Sequence, residues 1–96
     1  MAGITAVRWA PDGPARSELP GVGAAMRHVV IAAGHVAGRH HHGHEQFLFV
    51  VSGGGRLQYE EGSIELAPGT ALHLPTGAWH SAEFTADTVL IEVNLV

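Results

Sequence analysis

The sequence predicts an all-β domain, built as a β-sandwich or a small barrel. No segment of helical length carries apolar residues at the i, i+3, i+4, i+7 spacing of an amphipathic helix. Short strand-like runs are separated instead by glycine and proline turn signals, with a new run about every ten residues. The chain has 96 residues, of which 46% are apolar, so we expect residues 1–96 to form one domain.

Eight strands are expected, because eight apolar or alternating runs stand between these turn signals. The first is Ile4–Trp9. Pro11 to Gly23 is expected to be a loop, because three prolines and three glycines in thirteen residues disfavour a regular element. The turn at Pro68-Gly69 divides the fifth strand from the sixth. In order, the later strands are predicted at Met26–Ala33, Gln46–Val51, Arg56–Glu60, Ser63–Leu66, Ala71–Leu74, Trp79–Phe84 and Thr88–Val96.

Composition excludes several kinds of function. The net charge is −4, with five arginines and no lysine, which argues against nucleic-acid binding and excludes Schiff-base chemistry and a P-loop. Without cysteine there can be no disulfide and no thiolate nucleophile or ligand. No apolar run approaches the ~20 residues of a membrane span, and the N-terminus has no signal-peptide pattern, so we expect a cytoplasmic protein.

The stretch HHHGHEQ, His40 to Gln46, holds four of the eight histidines. Its mid-chain position and interruption by Gly43 argue against a purification tag. A solvated polar loop and a metal site both stay open on composition alone. In an extended chain His40 and His42 point to one face and His41 to the other, and two imidazoles at this spacing can bind one metal. Gln46 could join them, but this stretch alone does not supply the remaining ligand.

Two spaced motifs resemble those of the cupin superfamily. In the first motif, at 34–53, five residues separate Gly34 from the run His-His-His. Three residues separate that run from Gln46, and six residues separate Gln46 from Gly53. The second, GTALHLPTGAWHSAEF at 69–84, has glycine, proline, glycine and histidine at the family's spacing. Eight of the ten signature positions carry the family's residue. The exceptions are Gln46, where the family has Glu, and Phe84, where it has Asn.

This resemblance implies a cupin double-stranded β-helix, a jelly-roll-like barrel. It also implies one divalent transition metal, Zn, Ni, Fe, Mn or Cu, held by His40, His42, Gln46 and His80. An amide in place of a carboxylate leaves the metal its full charge and makes it a stronger Lewis acid. Alternatively, Gln46 does not ligate and only hydrogen-bonds a water on the metal. The departure at Phe84 makes one side of the pocket apolar.

The function expected from the resemblance is a small metal-dependent enzyme. It would act on a small organic acid or hydroxy-carbonyl compound by Lewis-acid-assisted proton transfer, as an isomerase, cyclase or lyase. A metal-dependent dioxygenase and a non-catalytic metal-containing small-molecule-binding module are the alternatives. Tyr59 and His28 are weak candidates for the acid or base.

Other polar residues are open to two interpretations. Arg27 and Arg56 either pair with an acidic substrate or are solvated surface charges. Glu92 and Asn94 alternate with apolar residues of the last strand and line either a pocket mouth or the second face of the sheet. The apolar face made by Phe47, Phe49 and Val51 predicts a homodimer, since such a face needs covering by another sheet or a second subunit.

Overall fold

Two antiparallel β-sheets form the described part of the chain. The computed structural model describes residues 3–96, in which nine strands and no helix are found. The all-β fold class is therefore confirmed. These residues hold no helix with the length and hydropathy needed to cross a membrane. The strands are β1 Arg16–Pro20, β2 Ala24–Ile31, β3 Val36–His40, β4 Gln46–Ser52, β5 Gly55–Tyr59, β6 Gly62–Leu66, β7 Ala71–Leu74, β8 His80–Phe84 and β9 Thr88–Leu95.

The sheet order joins strands that are distant in sequence. The five-stranded sheet has the order β1-β2-β9-β4-β7, and the four-stranded sheet has the order β3-β8-β5-β6. The last strand thus lies between β2 and β4, and β8 lies between β3 and β5. Both sheets contribute apolar side chains to a common core, where burial out of water stabilises their contact. Its buried members are Val29, Val50, Leu57, Leu66, Phe84 and Leu90.

Seven of the eight predicted strands are present, with ends displaced by at most two residues. The prediction of a strand at Ile4–Trp9 was wrong, since these residues lie outside the nine strands and the edge position beside β2 is held by β1. The loop predicted at Pro11 to Gly23 was wrong in part, since it contains β1. An edge strand tolerates proline, and Pro20 is the last residue of β1.

The third observed strand, β3, was not predicted. It is five residues long, forms the edge of its sheet and contains Gly38 next to Arg39, so it lacks a clean alternation of apolar and polar residues. Its pairing with β8 is also irregular between Ala37 and His40. This strand ends in the histidine cluster, so its pairing with β8 decides where His40 lies.

Glycines of the two motifs mark backbone conformations that other residues rarely adopt. Gly34, Gly53, Gly69 and Gly77 have φ angles of 90°, 88°, 90° and 80°. Gly53 also packs directly against backbone, because a Cβ there would overlap the carbonyl oxygen of Asp87 and come within 2.6 Å of the Thr88 Cα. It therefore lets the β4–β5 connection lie against the start of β9.

Candidate metal centre

Three histidines converge at one end of the four-stranded sheet. His40 ends β3 and lies directly opposite His80, the first residue of β8. The His40 ring centroid is 4.2 Å from that of His80 and 5.0 Å from that of His42. One ring nitrogen from each of the three can be chosen so that all lie within 4.8 Å of one another. Three neutral imidazoles at this spacing are suited to share one transition-metal ion.

Backbone carbonyls fix the orientation of two of these rings. The Nδ1 atom of His40 lies 2.6 Å from the Gly38 oxygen, and Nδ1 of His80 lies 3.0 Å from the Ala78 oxygen. A carbonyl only accepts, so each Nδ1 must donate and carry the proton. Nε2 then keeps its lone pair. Metal-ligating histidines have the same arrangement, with the second ring nitrogen held by a backbone or carboxylate oxygen.

Gln46 begins β4 in the facing sheet and is 4% exposed. Its Nε2 donates a hydrogen bond of 2.8 Å to the Asn94 side-chain oxygen, which also lies 3.3 Å from Nε2 of His44. The amide nitrogen is therefore occupied, and Oε1 remains the atom of Gln46 that can face a cation. Asn94 acts here as the residue that fixes the amide orientation.

The carboxylate next to Gln46 in sequence lies outside the cavity. A carboxylate oxygen of Glu45 accepts a hydrogen bond of 2.5 Å from Nε2 of His73, and both side chains are substantially exposed. His73 lies on the opposite face of β7 from Leu72 and Leu74, as alternation predicts. Glu45 therefore does not supply the carboxylate that the family motif has one position later.

Burial lowers the pKa of two of the three clustered histidines. For His42 the largest cause is desolvation, followed by repulsion from His40, His80, His44 and His41. For His80 desolvation also comes first and lowers the pKa, the hydrogen bond to Ala78 opposes it, and His40 lowers the pKa further. Both effects favour the neutral imidazole, which is the form that can donate a lone pair to a metal.

The cluster opens into a cavity of about 630 Å³ between the two sheets. His80, Ala82 and Phe84 all face this cavity from β8, as the alternation of the strand predicts. Much of the remaining wall is apolar, and Phe84 extends it at the end away from the histidines. The cavity thus combines a cluster of imidazoles with an apolar interior, as small-molecule sites do. Further apolar lining residues are Val29, Leu48, Leu57, Leu66 and Leu90.

Glu92 is the only carboxylate among the cavity-lining residues in the described chain. It lies in β9, opposite Arg27 of β2 on one side and Leu48 of β4 on the other. Desolvation raises its pKa from the ordinary value of a glutamate, and the guanidinium groups of Arg16 and Arg27 oppose that shift. A carboxyl group with a raised pKa can hold and release a proton closer to neutral pH.

The sequence matches a known protein family over most of its length. The family described as "Cupin domain" matches residues 27–94. The chain belongs to the cupin family. No curated protein matches the sequence.

Solved structures share the fold of this cupin at low identity. A cupin protein from Bacteroides fragilis aligns with a TM-score of 0.82 and 21% identity, covering 99% of this chain and 86% of the other. KdgF from Halomonas sp. aligns with a TM-score of 0.78 and 24% identity, covering 93% and 87%. The DMSP lyase DddQ from Ruegeria pomeroyi aligns with a TM-score of 0.71 and 21% identity, covering 77% of this chain and 39% of the other. These likenesses confirm the cupin β-barrel.

Neither of the two acid/base candidates from the sequence lines the cavity of this cupin. Tyr59 is 39% exposed and lines a separate cavity of about 380 Å³ that also touches Trp79. His28 is buried against Trp9, with ring centroids 5.5 Å apart. Its neighbours Arg27 and Val29 line the cavity, so His28 faces the other side of β2.

The sequence placed Glu92 and Asn94 on one face of the last strand, opposite Ile91 and Val93, and left open whether that face lines a pocket mouth or the second face of the sheet. That pattern could not say which face was inside. The pairing of Glu92 with Arg27 and Leu48 supplies the answer.

Proposed function

We propose that this cupin is a small metal-dependent enzyme that moves a proton on a small organic acid or hydroxy-carbonyl compound, in an isomerase, cyclase or lyase reaction. The observation that carries the proposal is one cavity with both a three-histidine cluster and the half-buried carboxyl group of Glu92. His40, His42 and His80 would hold a divalent transition metal such as Zn, Ni, Fe, Mn or Cu, with Gln46 as a fourth oxygen ligand. When bound, such an ion supplies Lewis acidity toward carbonyl or hydroxyl oxygens.

Glu92 is the group we assign to proton transfer. Its carboxyl group lies on the cavity wall, and its raised pKa allows it to take a proton from a substrate carbon or oxygen and return it. The leucines and Phe84 of the cavity lining would limit the access of water to the reacting atoms. Asn94 holds the Gln46 amide in one orientation. One solved structure with the same fold is named as a DMSP lyase. By analogy of fold alone, this supports an elimination as one of the possible reactions.

The metal site is tested by elemental analysis of untagged protein. The parent should hold close to one transition-metal ion per chain, and His80→Ala should lose most of it. His41→Ala is the matched control, because His41 lies between two cluster members in sequence but is exposed and packs on Trp79 at 4.2 Å. Metal content that is equal in His80→Ala and the parent would refute the assignment.

We also propose that the protein is a homodimer. On the outer face of the five-stranded sheet, Phe47 and Phe49 are each 44% exposed, and Val51 and Met26 lie beside them at 48% and 40%. Phe47 is level with Val93 and Met26 across β9 and β2, so the apolar surface is continuous. A second copy would cover it. Light scattering at micromolar concentration should give twice the mass of one chain, and Phe49→Glu should give a monomer; a monomeric parent would contradict the proposal.

A further inference from the structure

We infer that Arg16 and Arg27 form a second, anion-binding end of the cavity, and that the natural ligand is an organic acid with two carboxylates. One carboxylate, with a neighbouring hydroxyl or carbonyl, would face the histidine cluster. The other would pair with the guanidinium groups. This inference rests on the proposed function, because it takes the histidine cluster as the reacting end of the cavity.

Strand register gives the separation of the two ends. Asn94 and Gln46 form one cross-strand row beside the histidine cluster, and Glu92 and Arg27 form the next cavity-facing row. Arg16 is paired with Val29, whose β9 partner is Leu90, one row further still. Since a strand rises about 3.3 Å per residue, the second row lies about 7 Å and the third about 13 Å from the first. Long arginine side chains can reach back along this distance toward a ligand.

The two arginines differ in how they are held. Arg27 donates from Nε to Glu18 at 2.7 Å, which fixes its guanidinium group and leaves terminal N–H donors available. Arg16 takes part in no ion pair with residues 3–96. A guanidinium group presents a planar pair of donors that matches the two oxygens of a carboxylate. One oriented and one unpaired arginine therefore make a suitable receptor for a second acidic group.

The other arginines have different positions. Arg56 donates to the Ser63 hydroxyl at 3.1 Å and does not line the cavity, and Arg39 lies over the Trp79 ring at 5.1 Å. From the sequence alone, Arg27 and Arg56 were equal candidates for pairing with an acidic substrate. The structure separates them, because only Arg27 faces the cavity. Arg56 therefore provides a control with the same change in charge.

The experiment compares hydroxy acids that differ only at the far end. Zinc-loaded protein is titrated by calorimetry with malate and 2-hydroxybutyrate, and then with 2-hydroxyglutarate and 2-hydroxypentanoate. Each pair shares the head group and chain length, but one member ends in a carboxylate and the other in a methyl group. For at least one pair we expect the dicarboxylate to bind roughly 10- to 100-fold more tightly, as charge-assisted hydrogen bonds allow. Elemental analysis after the titration checks that zinc stays bound.

Variants then locate the effect. Arg16→Gln and Arg27→Gln should each reduce the preference for the dicarboxylate and leave the affinity for the monocarboxylate unchanged, which also shows that the variants are folded. Arg56→Gln should keep the full preference. Equal affinities within both pairs, or a preference that survives in Arg16→Gln and Arg27→Gln, would overturn the inference and leave the proposed function standing. If neither kind of acid binds zinc-loaded protein, both the inference and the proposed substrate class fail.

Discussion

Replacing Gly53 with alanine should destabilise the fold far more than the same change at Gly34. Both glycines have positive φ angles, 88° and 90°, which an alanine adopts at a cost of about 1–2 kcal/mol. At Gly34 a Cβ would meet nothing within 4 Å. At Gly53 it would overlap the Asp87 carbonyl oxygen and come within 2.5 Å of the Thr88 hydroxyl. The two substitutions therefore share a backbone cost and differ in packing.

The packing cost at Gly53 follows from the contacts of Thr88, which is 1% exposed. Its hydroxyl donates to the Ala86 oxygen at 2.8 Å and accepts from the Gly54 N–H at 3.1 Å. Moving Thr88 away from a new methyl group would weaken both hydrogen bonds, each worth about 0.5–1.5 kcal/mol. With the backbone cost, the free energy of unfolding should fall by about 2–5 kcal/mol. At ~4–8 °C per kcal/mol, Tm should fall by at least about 8 °C.

Urea and thermal unfolding of the two variants and the parent provide the assay. Gly34→Ala should lose only the backbone cost of about 1–2 kcal/mol. The difference between the variants then isolates the contact between the β4–β5 connection and the start of β9. Equal losses of stability in the two variants would show that this contact is not close, and would refute the reasoning.

Two predictions concern charge near the histidine cluster. The folded-state pKa of Glu92 is raised above its unfolded value by burial, against the opposing charges of Arg16, Arg27, His44 and His40, so its ionisation costs stability as the pH rises. Glu92→Gln should therefore have a higher Tm than the parent at pH 8, with the difference closing as the pH falls through the folded pKa to the unfolded pKa. A difference that stays constant from pH 8 down to the unfolded pKa would contradict this. Gln46→Glu should bind zinc more tightly in competition with a chelator, because it adds a charged oxygen ligand. The control substitution, Glu45→Gln, should leave zinc affinity unchanged. Zinc affinities that change equally in the two variants would count against Gln46 facing the metal.

The sequence was sufficient for the features that depend on local patterns. Turn signals located most strands, because glycine and proline interrupt the backbone wherever they stand. The edge strands β1 and β3 were missed, whereas the edge strands β6 and β7 were found. A strand such as β3, with Gly38 near its centre, depends on its partner and not on its own alternation. The resemblance of two motifs to those of cupins implied that His40, His42 and His80 would meet, and the structure brings their ring nitrogens within reach of one another.

Pairing between distant strands determines the rest of the site. Glu92 lies inside because β9 inserts between β2 and β4, and no pattern within residues 88–95 specifies that neighbour. The same pairing sets Arg27 beside Glu92 although the two are far apart in the chain. Tyr59 lies on a strand that was predicted correctly, yet it lines the cavity of about 380 Å³ and not the one that holds the histidine cluster. The sequence shows which residues can bind a metal or transfer a proton. Which of them meet in one cavity depends on the pairing register of the strands.

The distribution of charge connects the metal site with the ligand. The chain carries a net charge of −4, yet the charged side chains on the cavity wall are two arginines and one glutamate whose pKa is raised. The position where the family has a carboxylate holds the neutral amide of Gln46, and Glu45 is paired outside with His73. A cation bound by the histidines would therefore not be neutralised by its protein ligands. An organic acid would bring the negative charge that these ligands lack, which supports the proposed class of substrate.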